Sequence, residues 1–472
     1  MSVLWTAADA ARATGGRAQG AWQASGVSID TRSLVPGDLF VALTDMRDGH
    51  DFVADALAKG AAAALVSRVP EGVAPDAPLL IVPDVLDGLR GLARAARARI
   101  TGKVIGVTGS VGKTGTKEML RCALTGQGRI HAAERSFNNH WGVPLTLARM
   151  PAETDIAVIE IGMNAPGEIT PLSRLARPDV AIITTVAAVH MQAFRSVRDI
   201  ARAKAEIFDG LAPGGTAILN RDIFTYPILA RAAKKAGAEL IRFGQHGRPE
   251  YALKGVSITG DVTSVIARHA GKKFVFKINA PGAHLAMNGL AVMAAVDAIG
   301  ADPARAALAL LNWRPPAGRG VRHRIRLGAE QDECLTLIDE SYNANPTSMA
   351  AALDVLAASQ PGRSGGRRIA VLGDMLELGP DTAALHAGLA RLPAMAKIDM
   401  LHLVGPEMAA LADALPEAKR GLHEADADAL LRGLFRHMGP GDVVMVKASL
   451  GTGLGRVVAA IKDRHRDDVE SE

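Results

Sequence analysis

The sequence predicts a three-domain α/β protein, and three observations carry that prediction. The chain has 472 residues, too many for one hydrophobic core and enough for roughly three. Apolar, β-branched runs alternate with helix-forming segments along most of it, the pattern of parallel sheets covered on both faces. One run, Val104 to Val107, breaks into Gly109, Ser110 and Gly112 and then into a helix-forming stretch beginning at Lys113. Strand, glycine turn and helix start are the parts of a phosphate-binding loop.

Composition excludes several classes. Hydrophobic residues make up 48% and charged residues 22%, as in an ordinary folded enzyme. The 54 basic and 49 acidic residues leave +5, too little to argue for a nucleic-acid partner. Basic residues gather from Arg90 to Lys103, read here as a solvated helix face, and from Arg319 to Arg326. Cys122 and Cys334 are the only cysteines, so no disulfide framework and no cysteine zinc site is expected. The opening residues lack a signal-peptide pattern, and no apolar run approaches the ~20 residues that span a bilayer. A cytoplasmic monomer without membrane insertion is expected.

Residues 1–97 read as a small α/β domain. Asp38 to Leu43, Ala62 to Val66 and Leu79 to Val82 are strands, and a helix from Phe52 to Lys59 stops at Gly60. Asp30, Thr31 and Arg32 form a polar cluster that, on its own, is a capped turn.

Residues 98–317 read as a mainly parallel sheet with the phosphate loop after its first strand. Strands are expected at Ile156–Glu160, Val180 to Thr185 and Thr216 to Leu219, and a β-meander from Val256 to Ile278. Small residues at Gly109, Ser110 and Gly112 let backbone N–H groups close on phosphate oxygens. Lys113 would reach the terminal phosphates, and the Thr114 hydroxyl would face Mg²⁺. The form is T-G-x-x-G-K-T, with Val107 where the commoner pattern has glycine, and it reads as an ATP site. Glu160 ends its strand beside that loop, where a Mg²⁺-holding carboxylate belongs. His190 and Lys204 lie just past a neighbouring strand; alone, one is a satisfied histidine and the other a helix-surface charge. Asn288 stands near the start of an apolar helix, where a cap is an equal reading.

Pro315-Pro-Ala-Gly-Arg319 breaks the pattern, and residues 318–472 read as a third, Rossmann-like α/β domain. Its expected strands are Leu335 to Asp339, Arg368–Gly373, Leu401 to Gly405 and Val443–Lys447. Its first helix, Pro346 to Ala358, has proline in the first turn. The charged tail Asp463 to Glu472 reads as frayed.

Taken together, Thr108-Gly-Ser-Val-Gly-Lys-Thr114, Ser136-Phe-Asn-Asn-His-Trp-Gly-Val-Pro144, Glu160-Ile-Gly-Met163, His190, Lys204-Ala-Glu-Ile-Phe208, Asn288, Gly318-Arg319 and Asp339 resemble the Mur ligase family over nearly the whole chain. These are ATP-dependent amide-bond-forming enzymes of bacterial cell-wall synthesis. Ser136 to Asn139, Ser341-Tyr-Asn-Ala-Asn-Pro-Thr-Ser-Met349 and Val371-Leu-Gly-Asp-Met-Leu-Glu-Leu-Gly379 resemble the branch that joins D-alanyl-D-alanine to UDP-N-acetylmuramoyl-tripeptide. The Asp-Asn-Pro of the branch that adds a diamino acid is absent, while Val111, His140 and the short loop Leu43 to His50 depart from the family pattern.

The resemblance implies roles residue by residue. Gly109, Ser110, Gly112, Lys113 and Thr114 would hold ATP, with Asn288, Arg319 and Asp339 as further nucleotide contacts. Thr114 and Glu160 would bind one Mg²⁺, and His190 a second. Lys204 matches a lysine that the family carbamylates, which makes a metal-bridging acid from a cation. Lys113, His190 and Lys204 are then the catalytic set. Asp30, Thr31 and Arg32 would bind the UDP moiety, and Asn138, Asn139, Asn343 and Asn345 the remaining substrate. The implied chemistry is phosphorylation of a peptide carboxylate to an acyl phosphate, followed by attack of the dipeptide amine. Two other readings stay open: a sibling ligase adding diaminopimelate or lysine, and a phosphate-loop ATPase switch.

Overall fold

The computed structural model describes residues 3–328, 333–362 and 365–470. Three main sheets follow one another along the chain. In the first, Arg17–Gln19, Leu79–Ile81, Ala63–Val66, Asp38–Val41 and Gly26–Ser28 lie side by side. All its pairings are parallel except that of Arg17–Gln19 with Leu79–Ile81.

The second sheet has nine strands, in the order Lys272–Ile278, Val262–His269, Tyr251–Thr259, Glu239–Gly244, Thr216–Asn220, Val180–Ile183, Lys103–Thr108, Ile156–Glu160 and Ile130–Ala132. From Tyr251–Thr259 to Ile130–Ala132 every pairing is parallel, and the Val256 to Ile278 region is the expected antiparallel meander. Ile156–Glu160 and Val180–Ile183 are buried along their whole length, which is why they read as unbroken apolar runs. Lys103–Thr108 lies between those two strands, so a crevice opens at their C-terminal ends.

The third sheet runs Val321–Arg326, Cys334–Glu340, Val443–Lys447, Arg368–Gly373, Met400–Val404 and Arg420–Glu424. It is parallel apart from its first strand. Val321–Arg326 and Arg420–Glu424 had no counterpart in the sequence reading. Both are edge strands, rich in polar and charged residues and partly exposed, and so lack a buried strand's apolar signal. The helix Gly455–Glu470 carries the tail expected to fray; Ser471 and Glu472 lie outside the described residues.

The junction between the first two sheets corrects one expectation. Helix Val85–Arg99, capped by Asp84, does not present its basic residues only to solvent. Arg97 donates to the carbonyls of Ala176 and Arg177 at 2.7 and 2.8 Å. Arg99 reaches those of Leu4 and Met150 at 3.0 and 2.6 Å and lies over the Trp5 ring. Trp5 donates from its indole to the Ala148 carbonyl at 2.9 Å, and Leu145 and Ala148 share a core with Trp5, Leu89 and Leu92. Arg97 and Arg99, at the end of the basic run, therefore fasten the first domain to the second through backbone carbonyls, while Arg90 pairs with Asp87 and Arg94 is exposed.

Candidate active site

The phosphate loop is built as its glycines require. Gly109 has φ 152°, and a Cβ there would stand 1.9 Å from Thr184 Oγ1. Gly112 has φ 86° and precedes helix Lys113–Ala123. The loop is stitched to the next strand: Ser110 N donates to the Thr185 carbonyl at 2.9 Å and its hydroxyl to the Ala187 carbonyl at 3.0 Å. Asn288 is not a cap, because its helix, Ala283–Ala298, starts a turn earlier at Gly282. The Asn288 amide instead rests over Gly112, 2.9 Å from where a Cβ would be. Gly112→Ala should therefore cost both left-handed strain and this contact, about 1–2 kcal/mol, read as a roughly tenfold weaker ADP affinity by calorimetry.

Glu160 stands in register with Val107, at the foot of the loop. It is 1% exposed. Its Oε1 accepts from Thr114 Oγ1 at 3.2 Å and from Asn138 Nδ2 at 2.6 Å, whereas Oε2 is buried without a hydrogen-bond partner. A buried carboxylate oxygen lacking a donor is costly unless a cation takes it up. No group of three or more His, Cys, Asp or Glu side chains able to hold a metal occurs among the described residues. One carboxylate and one hydroxyl nevertheless fit Mg²⁺ brought in on phosphates, since that ion keeps waters and takes few protein ligands.

Lys113 Nζ folds back to the Gly109 carbonyl at 2.7 Å. Burial lowers its pKa, Glu160 opposes the shift and Arg319 adds to it. Lys204, which taken alone reads as a helix-surface charge, is 1% exposed. Burial, followed by the nearby Lys113, pushes its amine well below the usual lysine range. His190 is also driven down by burial, with Glu377 opposing and Lys113 and Lys204 adding. Three basic groups thus share one neighbourhood, an electrostatic setting suited to anions.

Lys113, His190 and Glu160 face a cleft of about 480 Å³ between the second and third domains. Ser110, Gly112, Lys113, Thr114, Glu160 and Asn288 form one wall. Asn138, Asn139 and His190 belong to the same side, and Arg319, Asn343 and Asn345 come from the other. Arg319 crosses to Ser136 Oγ at 3.3 Å and sits over the Tyr342 ring at 4.2 Å. Ser136 in turn is 2.9 Å from Thr114 Oγ1. Asn345 spends its side chain capping helix Pro346–Ala358, accepting from Ser348 N at 2.9 Å.

Gly109, Lys204 and Asp339 do not line the cleft. Asp339 is 6% exposed, and its Oδ1 accepts from the Ser341 amide at 3.1 Å and the Ser341 hydroxyl at 2.7 Å. Asp30, Thr31 and Arg32 lie on the first domain. Arg32 holds Asp30 through a hydrogen-bonded ion pair at 2.7 Å, which lowers the carboxyl pKa to about 2. Lys59 Nζ donates to the Thr31 carbonyl at 3.3 Å. Arg135, from the segment that leads to Asn138, also acts on Asp30, so the cluster faces the second domain.

Ser136, Tyr342, Glu377 and Lys447 were not singled out from sequence. Ser136, Tyr342 and Glu377 sit inside stretches that drew attention as motifs. Lys447 ends an apolar strand, is 2% exposed, and bonds Glu340 Oε2 and the Asn343 carbonyl, both at 3.0 Å. A lysine closing an apolar strand was its only available signal.

Three family models match in order: the Mur ligase family catalytic domain at residues 23–97, the Mur ligase middle domain at 107–296, and the Mur ligase glutamate ligase domain at 323–450. The chain is 38% identical to the UDP-N-acetylmuramoyl-tripeptide–D-alanyl-D-alanine ligase of Bacillus subtilis, covering 92% of each chain. It is 36% identical to the enzyme of that name from Escherichia coli, covering 93% of each. Among solved structures, MurF from Acinetobacter baumannii superposes with a TM-score of 0.82 at 28% identity, covering 97% of this chain and 99% of that one. MurF ligase from Thermotoga maritima in complex with ADP gives 0.75 at 25% identity, covering 94% and 98%.

Proposed function

The chain belongs to the Mur ligase family, and on that premise we propose that it joins D-alanyl-D-alanine to UDP-N-acetylmuramoyl-tripeptide at the expense of ATP, in peptidoglycan precursor synthesis. It is an ATP-dependent ligase. The observation that carries the reading is the cleft itself. A phosphate loop with an unpartnered buried Glu160 oxygen forms one wall, and polar groups of the third domain form the other.

In this reading the loop amides and Lys113 hold the terminal phosphates of ATP. Thr114 and Glu160 would hold Mg²⁺, which when bound neutralises charge on the transferring oxygens. The peptide carboxylate takes the γ-phosphoryl group, ADP departs, and the dipeptide amine displaces phosphate from the acyl phosphate. Arg319 supplies positive charge from the far wall, where Lys447 is paired with Glu340, and contact between the domains keeps water from the reactive intermediate. Asp30, Thr31 and Arg32 take the UDP moiety. Arg32 holds the Asp30 carboxyl below the usual carboxylate range, so Asp30 stays charged at neutral and mildly acidic pH.

Lys204 suits carbamylation for a physical reason. Only a neutral amine adds CO₂, and burial with Lys113 nearby favours the neutral form. The nitrogen–carbon bond forms, the amine proton leaves, and a carboxylate results whose charge the neighbouring Lys113 offsets. A residence in the cytoplasm, where ATP and UDP-linked precursors are found, and a monomeric state complete the proposal; no described helix is long and apolar enough to cross a membrane.

The test is phosphate release by the full chain. ATP with UDP-N-acetylmuramoyl-tripeptide and D-alanyl-D-alanine should give rapid release, and omission of either acceptor should leave it nearly silent. Release that needs a shorter peptide and a free diamino acid would mark the sibling activity instead. Hydrolysis indifferent to both acceptors would mark an ATPase switch.

A further inference from the structure

One contact, reached from the cleft through His190, joins two domains through two strained residues. His190, after strand Val180–Ile183, has φ 53°, and Glu377, after strand Arg368–Gly373, has φ 63°. Non-glycine residues in this region cost about 1–2 kcal/mol each, so both conformations are held by their surroundings. The two side chains meet, with His190 Nδ1 2.6 Å from Glu377 Oε2. Their loops also meet at the backbone: a Cβ on Gly379 would stand 3.3 Å from the Met191 carbonyl carbon. His190 is about a quarter exposed, at 27%, and Glu377 is 55% exposed. An exposed carboxylate contributes little through charge alone. What it can do is orient.

A ring whose Nδ1–H is held by a carboxylate keeps its lone pair on Nε2, fixing both tautomer and rotation. We infer that Glu377 is a positioning residue: it arrives with the third domain, fixes the His190 ring, and so makes the divalent-cation site of the second domain complete only when the two domains are docked. The inference rests on the reading of His190 as a metal ligand. Lys113 and Lys204 are the other charged groups acting on the ring. The bond that the ring makes from Nδ1 is the one to Glu377. The consequence is an ordering of events. A metal site that needs the amine-binding domain in place would hold back phosphoryl transfer until the acceptor's domain is seated, which protects the acyl phosphate from water.

Mn²⁺ bound to the full chain with ADP, counted by electron paramagnetic resonance, tests this apart from turnover. Glu377→Ala should weaken the more loosely held Mn²⁺ by about tenfold, as loss of an outer partner of a ligating histidine does. Glu377→Gln, which keeps a hydrogen-bond acceptor, should weaken it less. In a His190→Ala background Glu377→Ala should add nothing. Asp261→Ala, which removes the ion pair to Arg322 at 3.0 Å between the same two domains outside the cleft lining, should leave Mn²⁺ affinity unchanged.

If His190→Ala leaves both Mn²⁺ ions in place, the ligand reading of His190 fails and this inference falls with it. If His190→Ala weakens Mn²⁺ but Glu377→Ala does not, or the two effects simply add, Glu377 has no positioning role. If Asp261→Ala weakens Mn²⁺ as much as Glu377→Ala, the contact serves docking alone, and the inference is overturned.

Discussion

Lys204→Ala is expected to lower the ligation rate by about 10³-fold, the scale seen when one preorganised charge-stabilising group is lost. Lys204 is buried in the last turn of helix Val197–Ala205, so part of any loss could come from the cavity that alanine leaves. Lys204→Met fills that volume without the amine and should lose as much. If Lys204 works as a carbamate, the missing element is an anion, and acetate at high concentration should restore part of the activity of the alanine variant but not of the methionine variant. A second readout needs no turnover: ¹³C-bicarbonate should give the wild-type chain a carbamate resonance that both variants lack. The pH dependence follows from the sign of the shift. Burial lowers the amine pKa, so the neutral form is reached at a lower pH than for an ordinary lysine. Carbamate occupancy should rise with pH and level off well below 10.5, the ordinary lysine value. Near-wild-type turnover in Lys204→Met, or no carbamate resonance at any pH, would remove the assignment.

Lys113→Met should abolish phosphoryl transfer, with a fall of at least about 10³-fold, while the fold survives. The ammonium bonds only the Gly109 carbonyl within the loop, so its removal leaves that acceptor on a loop still fastened by Ser110 to Thr185 and Ala187. Methionine keeps the stem that fills the same space. The loss should appear in the rate of acyl-phosphate formation, measured by rapid quench with radiolabelled ATP. The affinity for UDP-N-acetylmuramoyl-tripeptide should change little, because Asp30 and Arg32, the residues proposed to take its UDP moiety, lie on another domain. Equal losses in peptide-substrate binding and in phosphoryl transfer would mean that Lys113 holds the fold rather than the phosphate.

Much of the fold was legible because its signals are local. Strands Ile156–Glu160, Arg368–Gly373 and Val443–Lys447 and helix Pro346–Ala358 were read to the residue. A buried parallel strand is an unbroken apolar run, and a proline suited to the first helical turn marks a helix start. The edge strands Val321–Arg326 and Arg420–Glu424 escaped because half-exposed charged residues look alike in strand and loop. Of the basic helix face, only Arg97 and Arg99 depart from the solvated reading, because their partners, the carbonyls of Leu4, Met150, Ala176 and Arg177, lie elsewhere in the chain. Asn288 was open between cap and contact until the helix proved to begin at Ala283.

By itself the sequence determined the phosphate loop, the acid that follows it, the three-domain order and the family, since each depends on residue type and short spacing. Only the tertiary structure decided which of these groups share a space. It buried Lys204 beside Lys113, left one oxygen of Glu160 without a donor, and turned Asp339 toward Ser341 behind the cleft lining. It also brought Glu377 across a domain boundary to His190, 187 residues away in the chain. Burial and long-range pairing depend on how separate sheets meet, and no local pattern encodes that meeting.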